Sequence, residues 1–134
     1  MNRLAGTIAA VETDGALSLV DVSVGQSLFS ALVVETPEQC DYLAIGTAIE
    51  LLFKETEVAI AKDLTGAISL RNRHASTILS LRFGGLLCEV TFECEGAQVI
   101  SLITARSAKR LNLAVGDRVE WLVKANEISL RLPV

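Results

Sequence analysis

The chain has 134 residues, 51% of them apolar and only 4% aromatic, with a net charge of −4. That length suits one ordinary domain or two very small ones, with a core of Val, Ile, Leu and Ala that favours strands. The acidic balance and the shortage of stacking rings disfavour a nucleic-acid partner. No stretch approaches the roughly 20 apolar residues of a membrane span, so no membrane insertion is expected.

The N-terminal stretch NRLAGTIAAVETDG (Asn2–Gly15) does not read as a secretion signal, because its apolar run is short and is soon interrupted by Glu12 and Asp14. At Leu32–Leu43 the chain reads LVVETPEQCDYL. Thr36 with Gln39 makes a capping-box pattern and Pro37 suits a first helical position, predicting a short helix. DLTGAISLR (Asp63–Arg71) is too apolar for a free linker and is expected to be ordered. A strand is predicted over Asn72–Phe83, stopped by Gly84 and Gly85. In the next strand Leu86, Cys88, Val90, Phe92 and Cys94 share one face, while Glu89, Thr91 and Glu93 share the other. Glu95–Ala97 reads as a tight turn and Gln98–Ile103 as a third strand. Ala105–Leu111 predicts a short helix with Thr104 as its N-cap. Beyond the Ala114–Asp117 turn follow a fourth strand, Arg118–Lys124, and a fifth, Glu127–Leu132.

Residues 2–60 align with 72–130 at a constant offset of 70, without a gap and with sixteen identities. The chain therefore reads as two copies of one unit, 1–63 and 64–134. Five short strands with a small helix between the third and fourth form the layout of an OB-like barrel. The predicted class is all-β with short helices, as two tandem five-stranded barrels. Each copy is marginal alone, so the copies should pack on each other and on other chains.

Three pieces of the second copy concentrate chemistry: SLRN (Ser69–Asn72), TARSAKR (Thr104–Arg110) and VKAN (Val123–Asn126). They supply hydroxyls (Ser69, Thr104, Ser107), cations (Arg71, Arg110, Lys124) and the free N–H groups of a helix start, an inventory for holding a tetrahedral oxyanion. Plainer roles stand beside this one. Thr104 caps a helix whether or not it binds a ligand, Lys109 and Arg110 complement a helix dipole, and Lys124 snorkels from an apolar strand. Trp121 and Phe92 read as core. No general base stands beside a nucleophile, and the lone His74 fits a barrel or surface position better than a catalytic one. Cys40, Cys88 and Cys94 form no CxxC and read as reduced thiols of a cytosolic protein.

The order S-x-R-N, T-x-x-S-x-x-R-L and V-K-A resembles the molybdate-binding Mop domain, classed with the TOBE domains. The tandem resembles the cytoplasmic di-Mop, or molbindin-like, proteins. The resemblance implies OB-like barrels that exchange strands, with the oxyanion held between units, usually across a subunit interface. Ser69, Arg71 and Lys124, with Asn72 inside the motif, would then face Thr104, Ser107 and Arg110, with the amides near Ala105 and Ala125 as further donors. No metal would be ligated directly by side chains. The first copy has Val34, Pro37 and Cys40 in place of Thr104, Ser107 and Arg110, and Met1 in place of Arg71. Lys54 survives there, so Lys54 and Arg3 are secondary candidates. The implied protein is not an enzyme and has no catalytic cofactor. It binds molybdate or tungstate for storage, buffering or delivery, as a homotrimer with a dimer as the alternative. A ligand-sensing module for a transporter or transcription regulator is the competing role.

Overall fold

A computed structural model describes all residues, 1–134. The first half forms β1 (Asn2–Asp14), β2 (Leu17–Val24), β3 (Ser27–Val33), β4 (Ala48–Phe53) and β5 (Ala59–Ala61). The second forms β6 (Asn72–Phe83), β7 (Leu87–Cys94), β8 (Ala97–Thr104), α1 (Ala105–Arg110), β9 (Arg118–Val123) and β10 (Ser129–Arg131). Both copies have the same bulge, between Ile8 and Ala10 in β1 and between Ile78 and Ser80 in β6. It bends each long first strand so that one end pairs with the hairpin and the other with the fourth strand.

The two five-stranded sheets run β10-β4-β1-β2-β3 and β5-β9-β6-β7-β8. Each therefore takes its last strand from the other copy: β10 pairs with β4, and β5 with β9. The expected strand exchange is present, and it occurs within one chain. The 3-10 turns Glu55–Glu57 and Ala125–Glu127, which lead into the exchanged strands, pack against β8 and β3 respectively.

One apolar cluster runs through both barrels. Phe53 of the first copy stacks on Trp121 of the second, with ring centroids 5.8 Å apart. Phe29 lies 5.8 Å from the same indole, and Trp121 Nε1 donates to Ser76 Oγ at 3.0 Å. Trp121 and Phe92 are fully buried, as expected of core residues. The free ends of the sheets are closed by a reciprocal pair of amides. Asn72 donates from Nδ2 to the Ser30 and Val123 carbonyls and accepts from the Ser30 N–H at 2.7 Å. Asn2 bonds both backbone groups of Ile100 in the same manner, at 2.8 Å each. Each side chain thus acts as a short piece of an extra strand on an edge that would otherwise be unpaired.

Two local expectations differ from the structure. Leu86 does not join the buried face of β7; it lies in the preceding turn, 83% exposed. The predicted first-copy helix does not form either. Residues 36–42 make turns, with Gln39 and Cys40 donating to the Thr36 carbonyl. The composition explains the contrast with α1. Ala, Arg and Lys favour a helix in the second copy, whereas Cys40, Asp41 and Tyr42 follow the cap in the first.

Candidate functional site

The hairpin β7–β8 ends on the pair Leu87↔Thr104, and the chain turns there into α1. Ala105 and Ala108 are buried against the barrel, which holds the one-and-a-half-turn helix in place. Thr104 is extended at φ −69°, ψ 145°, and its Oγ1 accepts from the Ser107 N–H at 3.1 Å. The cap thereby commits a lone pair of the hydroxyl and leaves its proton free to donate outward. Ser107 is half-buried, and Arg110 is exposed on the outer side of the helix. Thr104, Ser107 and Arg110 line one cleft of about 490 Å³. The Ala105 amide, expected as a further donor, is instead bonded to the Leu86 carbonyl at 2.8 Å. That bond anchors the helix start to the hairpin and takes the amide out of the cleft's donor set.

The other motif halves meet on the far side of β5. The pairing Asn72↔Val123 of β6 with β9 sets Arg71 beside Lys124 at the sheet's end. Ser69 and Lys124 line a second cleft, of about 420 Å³. Ala125 begins the 3-10 turn that Lys124 caps. Asn72 is in neither cleft: it is fully buried, with its amide spent on the strand closure described above. The exchanged segment lies between the two clefts, since Glu57 and Ala59 line both. Within one chain the two motif groups thus line separate, neighbouring clefts.

Some of the chain's cations are neutralised by carboxylates and others are not. Arg73 is paired with Glu120, Arg131 with Glu50, Lys62 with Asp117 and Arg82 with Glu89. Arg71, Arg110 and Lys124 have no carboxylate within ion-pair distance, although the chain has 16 acidic residues against 12 Lys and Arg. Lys54, Arg106, Lys109 and Arg118 have no ion-pair partner either. Unpaired cations beside hydroxyls with free protons suit an anion from solution.

The first-copy corner has a different chemistry. Glu35 occupies the position of Ala105, and its Oε2 accepts from Cys40 Sγ at 2.9 Å and from the Tyr42 hydroxyl at 2.5 Å. Those two bonds hold the Glu35 carboxyl below its usual pKa, while the Cys40 thiol and the Tyr42 phenol are pushed up. A fixed carboxylate thus stands in the corner that carries Arg110 in the other copy. Of the secondary candidates, Arg3 lies 3.9 Å from Glu50, and Lys54 is exposed at the cap of its 3-10 turn. Neither lines either cleft, whereas Thr56 lines the first and Glu57 lines both. Sequence reading missed these two because only the exchange of β5 carries them into the second barrel.

His74 stacks on Phe29 with centroids 4.0 Å apart, and its Nε2 is buried without a hydrogen-bond partner. It is a half-buried barrel residue, away from both clefts. Cys88 and Cys94 are buried, and burial raises the Cys94 thiol to about 11. No three His, Cys, Asp or Glu side chains converge as a metal site, and no helix is long and apolar enough to cross a membrane.

Residues 68–130 match the TOBE domain. The fold matches that of the cytoplasmic molybdate-binding protein ModG, in a form with molybdate bound. The TM-score is 0.92 at 26% identity, covering 98% of this chain and 96% of that one. A molybdate-binding protein from Sporomusa ovata aligns with 45% of the chain at 32% identity and a TM-score of 0.44. In sequence, 78 residues are 35% identical to the molybdenum import ATP-binding protein ModC of Brucella abortus, and the chain spans 22% of that relative's length. The second copy thus matches the TOBE domain, and the chain as a whole shares the fold of two exchanged barrels with ModG along nearly its whole length.

Proposed function

We propose that this protein binds a tetrahedral oxyanion dianion, molybdate or tungstate, in the cytoplasm, and that it stores, buffers or delivers the anion without transforming it. The observation that carries the reading is the grouping of cations without ion-pair partners with hydroxyls: Arg110 with Thr104 and Ser107 in one cleft, and Lys124 with Ser69 in the other, where the strand register sets Arg71 beside Lys124. The fold shared with ModG supports the choice of anion. Molybdate and tungstate are nearly equal in size, so donors of this kind treat them alike, while a cavity shaped for them disfavours the smaller sulfate.

The placing of the two motif groups in separate clefts supports an assembly of several copies. In it, Thr104, Ser107 and Arg110 of one chain meet Ser69, Arg71 and Lys124 of another. A homotrimer is the form proposed, with a dimer as the alternative. A ligand-sensing role toward a transporter or regulator would use the same site, and would show as a partner captured only with the anion present.

The direct test is thermal melting with molybdate, tungstate, sulfate and phosphate. A ligand of the native state must raise the melting temperature, so molybdate and tungstate should do so and sulfate should not. No shift with either of the first two would remove the proposal. Calorimetry on Arg71→Ala and Lys124→Ala assigns the residues. Each should weaken molybdate binding about tenfold or more, the loss of one charge-assisted hydrogen bond, with melting of the free protein unchanged. Wild-type affinity in both variants would refute the assignment.

A further inference from the structure

Thr56 and Glu57 belong to the first copy by sequence and to the second barrel by position. The pairing Ala59↔Leu122 draws the preceding 3-10 turn across the barrel until it rests on β8. There Thr56 lines the cleft of Thr104, Ser107 and Arg110, exposed and with no hydrogen bond from its hydroxyl to any protein group. Glu57 lines that cleft and also the neighbouring one that holds Ser69 and Lys124, and it has no ion-pair partner. A hydroxyl and a carboxylate on adjacent residues of one wall act on an anion in opposite directions. The first gives a charge-assisted hydrogen bond. The second repels a dianion bound in the same cleft by Coulomb interaction, a repulsion that falls off with distance and with salt.

We infer that the Thr56–Glu57 segment is a working wall of the oxyanion site, with Thr56 a donor to the bound anion and Glu57 a fixed charge that limits its affinity. The inference rests on the oxyanion reading above. It assigns a function to the first copy, whose own corner is filled by the Glu35 carboxylate: through β5 it sets the affinity of a site it cannot build for itself. It also gives a physical basis for release, because an anion held against a permanent negative charge leaves faster than one held by cations alone.

The test is molybdate calorimetry on the full-length protein. Thr56→Ala should bind about five- to tenfold more weakly, the loss of one hydrogen bond to a charged group, and Thr56→Ser should recover most of that loss. Glu57→Gln should bind several-fold more tightly. Opposite signs from neighbouring positions cannot come from a general loosening of the turn, and melting of the ligand-free variants reports on the fold separately. Thr56→Ala within twofold of wild type, or Glu57→Gln no tighter than wild type, would overturn the inference. A wild-type protein that binds neither molybdate nor tungstate would instead overturn the oxyanion reading itself.

Discussion

His74 stands where the first copy has Leu4, and its imidazole lies between Phe29 of one barrel and Trp121 of the other, at centroid distances of 4.0 and 4.9 Å. Burial lowers its pKa from 6.5, against a weaker opposing pull from the Glu95 carboxylate. Arg73, Arg118 and Glu93 line the same recess, and Arg73 is neutralised by Glu120. The folded protein thus holds a neutral ring, while the unfolded chain takes up a proton as pH falls through 6.5. Stability from this residue is complete above that value and is lost as pH drops from there toward the lower native pKa. Urea unfolding at pH 7.5 and pH 5.5 should show a loss in wild type that His74→Leu reduces, the variant restoring the residue of the other copy. An equal loss in both proteins would place the pH dependence elsewhere. Sequence alone weighed His74 between barrel and surface, because the rings that enclose it come from positions 29 and 121.

At the scale of elements, the legible features were those written within a few residues. Thr104 followed by Ala, Arg and Lys specifies a capped helix, and the structure has it. The first-copy corner carries the same cap signal but a poorer helical run, and the Glu35 carboxylate captures Cys40 and Tyr42 instead, a competition that a capping pattern does not express. Asn72 shows the limit from the other direction. Its place inside S-x-R-N read as part of a binding motif, yet its amide closes the free edge of β3, 42 residues away in sequence. Asn72→Ala should therefore destabilise the fold by about 3 kcal/mol, leaving the Ser30 N–H and C=O buried without partners. Urea midpoints decide this, and Asn2→Ala should fall in the same direction, since it removes the matching clamp on Ile100. A stable Asn72→Ala protein that has lost only oxyanion affinity would return the residue to the site.

For the molecule as a whole, the offset of 70 made the duplication plain, but it could not say which copy completes which sheet. β5 and β10 have three residues each, with an aliphatic residue at the centre and the same burial pattern, and either could pair with its own copy or with the other. The structure takes the crossed choice, and this turns two marginal barrels into one cooperative unit. Each lends the other a strand, the aromatic stack of Phe53 and Trp121 bridges them, and Asn2 and Asn72 seal both edges. Separation of the copies should expose the consequence. Residues 64–134 alone lack the β5 that covers β9, and residues 1–63 alone lack the β10 that covers β4. Neither half should show a sharp melting transition as a monomer. Mixing them should restore strand circular dichroism and cooperative melting in a one-to-one complex, because every interaction joining the halves is noncovalent except the linker itself. A monomeric 64–134 that melts as sharply as the whole chain would mean that the second barrel closes without its borrowed strand. In that case Thr56 and Glu57 could be removed from the site without cost to the fold. If the halves fold only together, the wall they form is fixed by the same exchange that stabilises the protein, and the first copy is retained for structure and for affinity by a single three-residue strand.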